Sequence, residues 1–318
     1  MGRPAITGLL GPRSLRCRKP GASKLLGHDG MPLHATWTNL LLMTATLSIG
    51  WAFGRRGGAP ARIAVVLGLG VLVLGVIANL RPDLWSRWIP WRDLLFVSNL
   101  FPFAFALILP SAVFRQPDRS GRLRLGILSI FLTLASVRPS FEFLEPAARA
   151  RITWVDRDGI CRQSSRETCS AAALATVLLR HGIESNEKRI AELAWTRRDR
   201  GTSVLGLYRA AVFLTDGRPE LRPRIRRITA EELVASGRPA VVTVGLPRLG
   251  SSPAALEFGK AYEWEPGVLH DVAFLGRSPT RGLVRIGDPD FGLEEWPEEH
   301  LRYLHRGTAL VLETVAGR

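Results

Sequence analysis

Gln163-Ser164-Ser165-Arg166-Glu167-Thr168-Cys169-Ser170-Ala171-Ala172-Ala173-Leu174 is the stretch on which the reading of this chain turns. Its second half is apolar and alanine-rich, so it predicts a helix with Cys169 at its start. A helix N-terminus favours negative charge, which suits a thiolate there. One short loop earlier, Gln163 offers a side-chain amide. Beside a nucleophile, such an amide can hold a developing oxyanion together with the backbone N–H of the cysteine.

Two downstream segments complete a constellation. Val268–Leu275 reads as a strand carrying His270, and Leu283–Asp288 as the next strand, ending in Asp288 before Pro289. Consecutive strands joined by a loop are usually neighbours, so His270 and Asp288 are expected to meet. Asp271 points to the opposite strand face and is a poor partner for His270, with Asp290 as the fallback. The bland alternatives are a buried cysteine behaving as a small hydrophobe and a core histidine. The joint placement of Gln163, Cys169, His270 and Asp288 favours the nucleophile–base–orienter arrangement instead. His181 reads as a helix-end cation, and His300 and His305 as weaker candidates for the base.

The pattern Gln-x5-Cys-x-Ala-Ala-x-Leu, then His on a strand, then Asp-Pro, resembles the bacterial double-glycine leader peptidases. These papain-like cysteine peptidases trim bacteriocin and pheromone precursors, either fused to ABC exporters or as separate proteins. The resemblance covers roughly residues 158 to 315. It implies Cys169 as nucleophile, His270 as base, Asp288 as orienter and Gln163 as oxyanion donor, with a peptide or precursor as substrate. It further implies a preference for small residues such as Gly-Gly. The chain departs from the family twice, with Ser170 and Leu269 where the family usually has Gly.

Apolar residues make up 46% of the 318-residue chain, and the excess sits before residue 142. Residues 35–54, 63–80 and 94–114 carry no charge. As helices they cover about 27–31 Å each at 1.5 Å per residue, the thickness of a bilayer core. A fourth stretch, Leu125–Val137, spans only if Arg122, Arg124 and Arg138 snorkel at its ends. Trp37, Trp51, Trp85, Trp88 and Trp91 lie at or between span ends, as an aromatic belt requires. Residues 1–34 form a basic, Gly-rich tail of disordered character, with Met31 as an alternative start. The expected location is a bacterial inner membrane, multi-pass. With a start at Met31, the positive-inside rule puts the loops bearing Arg55, Arg56 and Arg62 and Arg115, Arg119, Arg122 and Arg124 in the cytoplasm. An even number of spans then returns the C-terminal half to the outside. With the first thirty residues present, their basic groups argue the reverse. The outward reading is the one adopted.

The net charge is +15, from 43 basic and 28 acidic residues. Loops, tail and the Arg222–Arg227 segment carry much of it, which suits anionic headgroups. No nucleic-acid motif accompanies it, so no nucleic-acid partner is expected. CxxC pairs, HExxH and phosphate loops are missing, so neither a metal nor another cofactor is expected, and an ATP-driven exporter would be a separate chain. Cys17 falls in the tail. Cys161 reads as structural, with a redox bridge to Cys169 as the rival reading.

The expected architecture is an α-helical transmembrane region followed by an α+β papain-like cysteine peptidase domain. The tail spans 1–34, about four transmembrane helices span 35–141, a connector spans 142–157 and the peptidase-like domain spans 158–318. Within that domain, helices are expected over Ser170–His181, Glu187–Trp195 and Val204–Leu214. A further helix is expected after a Thr229/Glu232 capping box. Strands follow over 239–246, 269–276, 282–287 and 308–313. Two rival functions stay open: a non-catalytic peptide-binding module, and a thiol enzyme that transfers the acyl group to an amine.

Overall fold

The computed structural model describes residues 33–89, 95, 99–137, 147–249, 252–261 and 264–315. The basic tail with Cys17, the Trp91–Asp93 loop, Arg138 and the first part of the expected connector lie outside the described residues.

The N-terminal half is helical: α1 (Leu33–Arg56), α2 (Gly58–Leu80), the short α3 (Pro82–Trp88), α4 (Phe101–Arg115) and α5 (Arg119–Val137). Helix α4 touches α1, α2 and α5 and buries Ala104, Ala106, Leu107 and Pro110. Close approach depends on small residues, as in membrane helix pairs. A side chain at Gly50 of α1 would collide with the Ala106 carbonyl oxygen, and one at Gly68 of α2 with Ile108. Among the described residues one helix, Gly58–Leu80, is long and apolar enough to cross a membrane by length and composition. Within the expected third span, α4 covers Phe101–Arg115, with Pro102 in its first turn, where proline fits. The expected fourth span belongs to a helix that begins earlier, at Arg119.

The C-terminal half contains a six-stranded sheet of order β1-β6-β2-β3-β4-β5, every neighbouring pair antiparallel. Its strands are β1 (Leu221–Arg227), β2 (Ala240–Val244), β3 (His270–Arg277), β4 (Leu283–Asp288), β5 (Gly292–Pro297) and β6 (His305–Thr314). Side chains alternate between two cores. Val241, Ala273, Leu310 and Ile225 face α6 (Cys169–Arg180), α7 (Glu187–Ala194) and α8 (Val204–Leu214). Val242, Val272, Phe274, Ile286 and Val311 face α9 (Ala230–Ser236), α10 (Pro253–Ala261) and α11 (Glu298–Leu304). Strands covered on both sides are apolar throughout, which is why four of them were visible in the sequence.

Helix α7 ends at Ala194, one residue before expectation, because Trp195 adopts a left-handed cap with φ of 59°. Asn186 and Ser203 cap α7 and α8, and Thr229 caps α9 in the full capping box expected with Glu232. The Arg222–Arg227 segment lies in strand β1, which buries Ile225 and leaves Arg222, Arg226 and Arg227 exposed. Pro223 is tolerated because β1 is an edge strand. Helix α3 covers that edge. The Ser86 Oγ accepts from the Ile225 N–H at 3.3 Å, and the Arg224 guanidinium donates to the carbonyls of Ser86 and Arg87 at 2.7 and 3.2 Å.

Candidate active site

Cys169 is the first residue of α6 and is partly buried. Thr168, the residue before it, makes no side-chain cap. Its hydroxyl donates to the Ser165 carbonyl at 2.8 Å instead, tightening the preceding loop. The helix N-terminus therefore keeps its N–H groups for an incoming anion.

His270 opens β3. The register pairs Ala273 with Gly287, which sets Asp288 opposite Val272 and makes His270 its diagonal neighbour on the same face. The His270 Nε2 lies 3.2 Å from Asp288 Oδ1, with side chains 16% and 3% exposed. The same oxygen accepts the backbone N–H groups of Asp290 at 2.7 Å and Phe291 at 3.2 Å. Burial disfavours the imidazolium, but hydrogen bonds to Asp288 and Cys169 outweigh it and push His270 up to about 10. Burial likewise works to raise Asp288, yet His270 and the two N–H donors hold its carboxyl below the usual range. The imidazole thus stands between carboxylate and thiol, with Nε2 toward the carboxylate.

Gln163 is held from both sides. Its N–H donates to the Pro289 carbonyl at 3.0 Å, which ties it to the turn after Asp288. The next residue is clamped by Glu187, a fully buried carboxylate at the start of α7. Glu187 accepts from the Ser164 N–H at 2.8 Å, the Ser164 hydroxyl at 2.9 Å and the Thr153 hydroxyl at 2.7 Å. The Gln163 Oε1 is buried with no hydrogen-bond partner among the described residues. Sequence reasoning missed the Glu187 clamp. Its signal was an acidic residue directly after a helix-capping asparagine, which looks like ordinary helix-dipole compensation.

The remaining candidates separate from this centre. Asp271 accepts from the Ser170 hydroxyl at 2.5 Å, on the face away from His270. Asp290 contributes its backbone to the Asp288 turn, while its side chain is exposed. His305 Nε2 bonds the Ile228 carbonyl at 2.8 Å, and His300 stacks edge-on against Phe258 at 4.7 Å. His181 is not the helix-end cation expected: burial pulls its pKa down, which favours the neutral ring. Cys161 is fully buried beside Thr153, and burial pushes its thiol up to about 11. Both Cys161 and Cys169 are free thiols. His270, Asp288 and Asp290 place three potential ligand atoms within 4.8 Å of one another. The Asp288 oxygen is already committed to His270 and two N–H groups, so this cluster is the orienter's own surroundings.

Two clefts meet at His270. One, of about 600 Å³, is lined by Cys169, Ser170, Asp271 and Thr243. The other, of about 530 Å³, is lined by Gln163, Asp288, Phe291 and Trp296. Leu269, 59% exposed, borders both.

Residues 157–214, which include Gln163 and Cys169, match the model of the Peptidase C39 family. Over that segment the chain is similar to the Peptidase C39 family. This agrees with the resemblance to double-glycine leader cysteine peptidases carried by the Gln163–Leu174 run. An uncharacterized protein of Methanothermobacter marburgensis (strain Marburg) is 50% identical over 52 residues, 16% of this chain. The match spans 36% of that relative's length. Two solved structures also align. One is a double glycine motif protease from an AMS/PCAT transporter in complex with the leader peptide, at TM-score 0.36 and 18% identity, covering 54% of this chain and 95% of that one. The other is the peptidase domain of Streptococcus ComA, a bi-functional ABC transporter of a quorum sensing pathway, at TM-score 0.36 and 19% identity, covering 52% and 100%. No residue correspondence is taken from either.

Proposed function

We propose that this chain is a membrane-anchored cysteine peptidase that cleaves a peptide or small precursor through a thioester acyl-enzyme. The observation that carries the reading is the imidazole of His270, 3.2 Å from Asp288 and lining the same cleft as the Cys169 thiol. In that arrangement the Cys169 sulfur attacks the scissile carbonyl carbon. The Gln163 amide and the Cys169 N–H stabilise the oxyanion. Protonated His270 gives its proton to the leaving amine as the C–N bond breaks. It then takes a proton from the water whose oxygen attacks the thioester carbon; the C–S bond breaks, Cys169 is regenerated as the thiolate beside the imidazolium, and the acid product departs, losing its proton to solvent. Asp288 fixes the ring's tautomer and orientation throughout.

Membrane anchoring is supported by helix α2 and by large apolar side chains with no protein cover. Leu41, Val66, Leu80, Ile127, Phe131 and Leu134 are each more than 60% exposed. Exposed apolar area on that scale marks an interaction with membrane or protein. In this reading residues 35–141 carry about four membrane helices, 142–157 connect and 158–318 form the peptidase domain. The catalytic domain faces outward from a bacterial inner membrane, and a separate ABC exporter is the candidate partner. Cleavage after a Gly-Gly-type leader follows from the family resemblance.

The deciding experiment incubates detergent-solubilised full-length protein and its Cys169→Ala variant with a Gly-Gly-containing leader peptide, with and without added amine, and reads products by mass spectrometry. Hydrolysis by the parent alone is expected. An amide product would make it a transferase. Peptide binding without cleavage by the parent would make it a binding module.

A further inference from the structure

We infer that Ser170 and Asp271 form a positioning pair that sets Cys169 against His270. The inference rests on the reading of those two residues as nucleophile and base. Cys169 and Ser170 are the first two residues of α6, and His270 and Asp271 are the first two of β3. The Ser170 hydroxyl donates to Asp271 Oδ2 at 2.5 Å. Two adjacent side-chain pairs therefore bridge the same helix start and the same strand start.

The two bridges differ in position. Side chains alternate along a strand, so Asp271 shares its face with Ala273, which packs in the core beneath α6. The Ser170–Asp271 bond thus lies in the seam between helix and sheet, one residue inward from the thiol. Asp271 is also fixed from the side. It stands directly opposite Thr243 on β2, whose hydroxyl bonds the carboxylate and, with Ser170, opposes the effect of burial on it. A carboxylate held by two hydroxyls from two elements has little rotamer freedom. Because α6 begins at Cys169, holding its second residue fixes the direction in which the first presents its sulfur. The glycine usual at this position in the resembled family would carry no donor. All four residues border the same cleft, so the tie acts where substrate lies.

The test uses full-length protein in detergent with Ser170→Ala, Asp271→Asn, Asp271→Ala and the Ser170→Ala/Asp271→Ala double variant. Two quantities are read: the iodoacetamide alkylation rate of Cys169 at neutral pH, resolved by mass spectrometry, and kcat and KM for the cleaved peptide. Ser170→Ala and Asp271→Ala are expected to lower alkylation rate and kcat by similar factors, up to about 10²-fold, the scale of a 1 Å misplacement, with KM little changed. The double variant should be no worse than either single, as for residues acting as one unit. Asp271→Asn keeps an oxygen acceptor and should restore most of the loss. Wild-type alkylation and kcat in folded Ser170→Ala would overturn the inference, as would equal losses in Asp271→Asn and Asp271→Ala. If Asp271→Ala fails to fold, Ser170→Ala and Asp271→Asn decide alone. Parent protein that is neither alkylated at Cys169 nor cleaves peptide would overturn the peptidase reading beneath it.

Discussion

The His270 Nε2 atom contacts Asp288 Oδ1 at 3.2 Å, and this contact decides which ring nitrogen is left for Cys169. Nε2 faces the carboxylate, so in the proposed mechanism Nδ1 is the nitrogen left to exchange a proton with the thiol. The carboxylate in turn is pinned by the N–H groups of Asp290 and Phe291, so the ring inherits its orientation from a turn of three residues.

Asp288→Ala should lower kcat by about 10²–10⁴-fold, the contribution of a positioned acid–base group. It should also move the alkaline limb of the pH–rate profile to lower pH. The sign follows from His270, whose pKa is raised to about 10 by Asp288 and Cys169. Removing Asp288 removes part of that support. A pH–rate series on the variant checks it, and an unmoved limb would assign the limb to another group.

The same ion pair should appear in stability. A raised histidine pKa stabilises the fold fully below its ordinary value of 6.5, and that contribution is lost as pH rises through about 10. Asp288, with its carboxyl held low, contributes above the ordinary carboxylate range and loses this as pH falls. Thermal melts across pH should therefore show a high-pH decline in the parent that is blunted in His270→Ala.

Gln163→Ala should lower kcat by about 10²–10³-fold, the scale of one oxyanion donor, with a smaller change in KM. Steady-state kinetics on the cleaved peptide separates this from a binding role, which would move KM alone.

Glu187→Ala leaves the Ser164 N–H and two hydroxyls without their acceptor. Each buried unsatisfied group costs about 1–3 kcal/mol, so Tm should fall clearly. Glu187→Gln keeps an acceptor and should recover part of the stability. If the clamp also sets Gln163, both variants should lose kcat. Full kcat in folded Glu187→Ala would leave Gln163 independent of it.

Cys161 should stay unlabelled by iodoacetamide at neutral pH, because burial raises its thiol to about 11 and thiolate is the reactive form. Cys161→Ser should leave cleavage and its reductant dependence unchanged. Loss of a reductant requirement in that variant would restore the redox bridge to Cys169.

The placement of Cys169 at a helix start and of His270 beside Asp288 was legible in the sequence because each part depends on local chain order. Cys169 begins a helix that its alanines predict, and His270 and Asp288 sit on strands that apolar composition predicts. Strand β1 was hidden because its arginines outnumber its inward residues, and only pairing with β6 makes it a strand. The Glu187 clamp and the Ser170–Asp271 bond join residues 23 and 101 positions apart. No local pattern announces such contacts. In the N-terminal half the helix that holds Leu125–Val137 begins earlier, at Arg119, because a helix can extend past the end of its apolar run.

Helix α3 follows α2 after one residue and hydrogen-bonds the edge of the sheet at Arg224 and Ile225. Strand β3, which bears His270, lies three places inward from that edge, about 14 Å at the usual strand spacing of ~4.8 Å. The sheet is therefore a short rigid arm bolted to the end of α2. In the membrane-anchored reading proposed above, a tilt or rotation of α2 would swing the cleft along an arc rather than merely loosen a tether. Cleavage would then report on the mechanical state of the helical half as well as on the peptide presented to it.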